Sequence, residues 1–159
     1  MKQVSATLLA KLSETARASA RLRSNHNLHP TLDAPVQRLA IAMEPDTYVR
    51  PHRHMQSWEL LIPLSGSFLL TVFDEAGATV ERHRLGGVDG LSAVEFPAGT
   101  WHTVTSLEEG SVIFEVKEGP YLPVPPADLA DWSPAEGTPE AADFVRQMHA
   151  EAKAMHHTA

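Results

Sequence analysis

The chain has no cysteine among its 159 residues. Disulfides and thiolate metal ligands are therefore excluded, and any metal site must use nitrogen and oxygen donors. Positive charge is also scarce: 13 Lys and Arg face 20 Asp and Glu, for a formal net charge of -7. That balance argues against a broad electrostatic grip on nucleic acid or anionic lipid. No window reaches the roughly 18 unbroken apolar residues of a membrane span. Lys11 and Glu14 interrupt the N-terminal region where a secretory apolar run would lie, so the expected compartment is the cytoplasm. A G-x-S-x-G elbow, a P-loop and a G-x-G-x-x-G fingerprint are missing too. The glycines of "LGGVDG" (85–90) fall between strand-like runs with no helix to follow.

What remains is an ordinary globular composition, 43% apolar, enough for one domain with a core. The pattern divides it into three zones. Residues 1–30 hold a helical arm, with Val4, Leu8, Leu12, Ala16 and Ala20 on one stripe, and then a polar segment. Residues 31–120 are a succession of short strand-like runs: 36–43, 47–54, 57–64, 67–73, 78–85, 92–97, 101–107 and 111–117. Turn residues such as Ser65-Gly66 and Pro97 to Gly99 separate them. Close, regular spacing of this kind predicts an antiparallel sandwich or barrel. Residues 121–159 form a Pro-rich crossing and a C-terminal helix. Ser133 to Glu136 has the form of a capping box, and Thr138-Pro139 starts the longer helix. Phe144, Val145, Met148, Ala152 and Met155 make a stripe suited to packing on the barrel or on a partner subunit.

Chemistry concentrates in "PHRHMQSWELLIPLSG" (51–66). Residues two apart on a strand share a face about 6.6 Å apart, so one ion fits between the imidazoles of His52 and His54. Glu59 follows after a four-residue gap, enough for a bend that returns it to the same face. "PAGTWH" (97–102) supplies His102 as a fourth donor. Imidazole and carboxylate donors suit one divalent transition metal (Fe, Mn, Zn, Ni, Co or Cu), among which composition does not choose.

The spacing H-x-H-x4-E-x6-G at His52, His54, Glu59 and Gly66, with P-x-G-x2-H at Pro97, Gly99 and His102, resembles the two cupin motifs. Asp46, Leu91 and Ser106 stand where those motifs usually carry Gly, Gly and Asn. The blocks "SNHNLHPTLDAPVQRLAIAMEPDTYVRPHRH", "PAGTWHT", "FEVKEGPY" and "DWSPAEG" are similar to the WbuC family of cupin-fold metalloproteins, over about residues 17 to 145. The resemblance implies a mainly β fold, a cupin double-stranded β-helix (jelly-roll-like) barrel with an N-terminal and a C-terminal helix. It also implies a metal held by His52, His54, Glu59 and His102. The family's association with bacterial surface-polysaccharide gene clusters suggests a nucleotide-sugar or sugar-like substrate, and fold alone names no reaction.

Around these ligands several residues carry two readings. Arg50, two before His52, can orient an anionic substrate or form a rim ion pair. Tyr48 can move a proton or pack. Arg38 in "RLAIAM" can bind substrate or pair with a carboxylate such as Glu115. Asn25 and His29 can cover the barrel mouth and bind substrate, or belong to a solvated linker. Trp101 is expected to pack, His83 to lie on the surface, and His149, His156 and His157 to bind metal only adventitiously. The expectation is an enzyme acting on a small polar, anionic or sugar-derived molecule, an isomerase, epimerase or dioxygenase. It is expected to be a homodimer without nucleic-acid or membrane partners. The alternatives are a non-catalytic small-ligand sensor and a metal-free barrel resembling sugar epimerases.

Overall fold

The computed structural model describes residues 1–155. Helix α1 (Ala6–Ala18) leads into strands β1 (Arg23–Asn27), β2 (Val36–Met43), β3 (Glu59–Ser65), β4 (Ser67–Phe73), β5 (Thr79–Gly86), β6 (Val94–Phe96), β7 (Trp101–Ser106) and β8 (Ser111–Glu118). A single 3-10 turn (Pro126–Asp128) precedes helix α2 (Pro139–Met155). The strands form two antiparallel sheets, β1-β2-β8-β3-β6 and β5-β4-β7, so the expected mainly β barrel with a helix at each end is what the chain adopts.

Alternation builds the core. Met43, Leu61, Phe68, Leu70, Leu85, Phe96, Val104 and Ile113 point between the sheets and are buried against one another. The opposite face of β2 carries Ala40 and Ala42, which with Val112 receive Leu12 and Ala16 of α1. Small side chains there let the helix approach closely. Ser5 caps α1, its Oγ accepting from the Leu8 N–H at 3.2 Å. The buried stripe is Leu12, Ser13 and Ala16, so α1 is shorter than the expected stripe and rotated from it.

Helix α2 lays Ala141, Val145, Met148 and Ala152 on the outside of the three-stranded sheet, against Leu69 and Tyr48. The barrel, not a partner subunit, receives its apolar face. Ser133 does not start a helical turn as its capping-box pattern predicts. Its Oγ donates to the Ala130 carbonyl at 2.8 Å and accepts from Arg50 Nε at 3.1 Å, so it has no role as a cap. His156 and His157 lie outside the described residues.

Gly66 joins β3 to β4 at φ +68°, and a Cβ there would run into the Ser111 side chain. The motif glycine is thus needed twice, for backbone conformation and for space. The run 47–54 is not a strand. Apart from a bridge at His52 it lies outside the ladders, and Pro51 within it has no N–H to give. The polar stretch Arg23–Asn27, with no apolar residue to announce it, is a strand paired in register with β2 from Arg23↔Met43 to Asn27↔Leu39.

Candidate functional site

Three histidines and one glutamate meet at one end of the barrel. His52 and His102 exchange backbone hydrogen bonds of 3.0 and 2.9 Å, which places their rings on the same face with centroids 4.6 Å apart. The Gly99 N–H donates to the His54 carbonyl at 2.8 Å and ties that residue to the Pro97–Gly99 turn. The His54 ring lies 5.0 Å from that of His52 and 6.3 Å from that of His102. Glu59, the first residue of β3, is 3% exposed. Its carboxylate oxygens stand 2.9 Å from His54 Nε2 and 3.3 Å from His102 Nε2.

The outer nitrogens fix the tautomers. His52 Nδ1 is 2.8 Å from the Arg50 carbonyl, and His102 Nδ1 is 2.9 Å from the Thr100 carbonyl. A carbonyl only accepts, so each Nδ1 carries a proton and each Nε2 is left to face the interior of the site. This is the orientation that metal-binding imidazoles take. His102 then faces the Glu59 carboxylate across 3.3 Å with acceptors at both ends of its ring. Either a second ring proton or a shared cation satisfies that contact. Among the described residues no group of three or more His, Cys, Asp or Glu side chains stands in metal-coordinating geometry. Two separations, 2.9 Å from His54 and 3.3 Å from His102 to the Glu59 carboxylate, lie close to the spacing of donors around one ion. Two donors bound at about 2.1 Å to one ion stand about 3.0–3.4 Å apart.

Electrostatics point the same way. Burial, and then the neighbouring His102, push the His52 ring down to about 3, so it is neutral at physiological pH. Burial alone would raise Glu59. Hydrogen bonds to His102 and His54, with the charges of His102 and Lys117, outweigh it and hold the carboxyl well below its usual range. Lys117, on β8, lies 2.9 Å from Glu115 and 3.4 Å from Glu59. Burial raises Glu115, reinforced by the charge of Glu59. Burial would lower Lys117, but the charges of Glu115 and Glu59 prevail and raise it.

Two cavities open beside this cluster. One, of about 550 Å³, lies against β1 and β2 and is lined by Arg23, Asn25, Asn27 and His29, by their neighbours Leu39, Ile41 and Met43 on the paired strand, and by Val49. His52, Glu115 and Lys117 also border it. The other, of about 500 Å³, runs under the Pro-rich segment from Pro120 to Pro125 and is bordered by His54 and Lys117. Lys117 and Tyr121 border both.

The structure redistributes the remaining candidates. Tyr48 borders neither cavity; it is buried against Ala141 and Val145, and its hydroxyl donates to the Pro134 carbonyl at 2.8 Å. Arg50 donates to the Ala130 carbonyl at 2.8 Å and to Ser133 Oγ, which ties it to the C-terminal crossing, and it borders neither cavity. The expected alternation Tyr48–Arg50–His52 slips at Pro51: Val49 and His52 border the cavity, with Arg50 and Pro51 between them. Arg38 is exposed and borders neither cavity, because the cavity-lining residues of β2 are Gln37, Leu39, Ile41 and Met43. Glu115 pairs with Lys117 instead. Asn25 and His29 do line the β1 cavity. Trp101 packs with Phe73 and Ala130, as its position opposite His102 predicts, and His83 pairs with Glu81 on the surface. Sequence reasoning missed Lys117 as a site residue. Its position two beyond Glu115 on one strand face, opposite Glu59 in the β3–β8 register, is the signal that would have found it.

Residues 4–85, just over half of the chain, match a family described as "Domain of unknown function (DUF6016)". The chain belongs to that family. Comparison with curated proteins gives no match. Among solved structures, this DUF6016 protein is similar to CapF bound to the inhibitor 3-isopropenyl-tropolone. That pair has a TM-score of 0.55 and 20% identity, over 66% of this chain and 30% of that one. A mutant of Bacillus subtilis oxalate decarboxylase gives a TM-score of 0.50 and 19% identity, over 69% of this chain and 28% of that one. KdgF from Halomonas sp. gives 0.49 and 19%, over 63% and 82%. The chain spans less than a third of CapF and of the decarboxylase. The likeness establishes a cupin fold.

Proposed function

We propose that this DUF6016 protein is a metal-dependent cupin enzyme acting on a small polar, anionic molecule. His52, His54, Glu59 and His102 would hold one divalent transition metal. The observation that carries the reading is the pair of Nδ1–H donations from His52 and His102 to backbone carbonyls, which leave both Nε2 atoms for a cation, that of His102 lying 3.3 Å from the Glu59 carboxylate. A bound metal supplies Lewis acidity toward an oxygen of the substrate. Glu59 balances part of its charge, and Lys117, held by Glu115 and Glu59, offers an ammonium to an anionic group in the β1 cavity. Leu39, Ile41 and Val49 give that cavity its apolar lining.

Likeness to the WbuC family in the motif-flanking blocks supports a sugar-derived or polysaccharide-pathway substrate. The Mn(II) centres of Bacillus subtilis oxalate decarboxylase belong to that protein; the metal reading here stands on this chain's own donors. A homodimer is the proposed assembly, although both helices bury their apolar faces on their own barrel. Sedimentation at micromolar concentration tests it.

The experiment that tests the reading is elemental analysis of tag-free protein with His52→Ala and His102→Ala variants. Near one equivalent of a transition metal in the wild type, lost in both variants, is expected. A wild type that stays empty after reconstitution with each candidate metal would refute it. Saturable ligand binding without turnover would make the protein a sensor instead of an enzyme.

A further inference from the structure

We infer that Arg23 anchors an oxyanion of the ligand, a carboxylate or a phosphate, at the end of the β1 cavity remote from Glu115 and Lys117. The inference deepens the proposed function and rests on it only for the group at the metal end. Around the start of β1 three guanidiniums share two carboxylates. Arg17 stands 3.7 Å from Glu44. Arg21 takes both oxygens of Glu136, its Nε and Nη2 donating at 2.5 and 2.7 Å. Arg23 comes no closer than 4.0 Å to that carboxylate, too far for a hydrogen bond. Among the described residues its guanidinium has no other ion pair and no hydrogen-bond acceptor. One positive charge at this end is therefore left over, and it belongs to Arg23. A guanidinium presents five N–H donors, and one drawn largely out of water without an acceptor favours an oxyanion beside it. Arg23 lines the β1 cavity and keeps 24% of its side chain exposed, so a ligand in the cavity reaches it.

The sheet sets how far this anchor lies from the metal end. Arg23, Asn25 and Asn27 share one face of β1, beside Met43, Ile41 and Leu39 of β2, and all six line the cavity. Glu115 pairs with Leu39 from the other side and lines it as well. Arg23 is thus level with Met43 and Glu115 with Leu39. Four residues separate those levels, about 13 Å along the strand at roughly 3.3 Å per residue. A ligand that touches both ends is elongated, with its oxyanion at Arg23 and a metal-binding oxygen at the other end.

Arginine Nε–H resonances in solution report the anchor directly. Arg23→Lys and Arg21→Lys, which keep the charge and remove the Nε–H, assign the two signals. The wild type is titrated with inorganic phosphate and with acetate, at constant ionic strength set by chloride. Either anion is expected to move the Arg23 signal saturably and the Arg21 signal less, and the tighter of the two names the group the ligand carries. Arg23→Gln should lose about tenfold in affinity, with melting temperature and metal content unchanged. Glu136→Gln, which removes the neighbouring carboxylate, should bind about threefold more tightly. An Arg23 signal that moves with neither anion, or no more than in chloride alone, overturns the inference. An Arg23→Gln variant that binds like the wild type, or weaker binding by Glu136→Gln, overturns it too. These titrations need no metal. Failure of the anchor would leave the metal reading standing, and an empty metal site would leave the anion result intact.

Discussion

The two ends of this barrel are made by the same strands and have opposite characters. On β7, Val104 belongs to the apolar core and His102, two residues earlier, belongs to the site. Leu61 and Glu59 divide β3 in the same way, as do Ile113 and the pair Glu115 and Lys117 on β8. One step of the two-residue repeat therefore carries each strand from packing to chemistry. The apolar end supplies a rigid frame that costs no polar desolvation. The ionisable end can be buried only because its groups partner one another, and the adjoining cavities stay open beside them.

The contrast can be broken most severely at the apolar end. Phe68, fully buried between the sheets, should cost about 3–5 kcal/mol on truncation to alanine, read by urea denaturation. At the polar end the sensitivity is to pH. His52 titrates near 3 when folded and near its ordinary value of about 6.5 when unfolded. Below about 6.5 the unfolded chain takes a proton that the folded ring refuses, so metal-free protein loses stability as pH falls toward 3. Glu59, held low, adds a loss of the same sign only below the usual carboxylate range. Between pH 6.5 and 4.5 the His52 contribution should be on the order of 2–3 kcal/mol. A His52→Asn variant should be flatter over that interval; an unchanged slope would put the ring in a different environment.

Smaller effects sharpen the line between site and scaffold. Tyr48→Phe, which removes the bond to the Pro134 carbonyl, should cost about 1 kcal/mol and leave metal content unchanged. Loss of metal in that variant would return Tyr48 to the site. His83→Ala, on the charged edge strand β5, should change stability by no more than about 0.5 kcal/mol in thermal melts.

The four candidate ligands were legible because each motif fixes a local geometry: a histidine pair beside a turn, and a glycine that only a left-handed turn next to Ser111 requires. The two-residue repeat also placed Trp101 correctly opposite His102. It failed at Tyr48 and Arg50, because Pro51 breaks the alternation on which their placement depended. β1 stayed hidden because Arg23 to Asn27 contains no apolar residue, and its strand character comes from pairing with β2. Arg38 was misplaced for a related reason: a charged residue in an apolar run suggested burial, but this one lies on the outer face of β2 near the end of the strand.

The central claim is that the three imidazoles and Glu59 converge on one cation. Anomalous diffraction from a crystal of metal-loaded protein tests it most directly. The account predicts a single strong peak about 2.0–2.3 Å from the Nε2 atoms of His52, His54 and His102 and from the Glu59 carboxylate. A peak confined to His149 and the C-terminal histidines, with none beside Glu59, would contradict it.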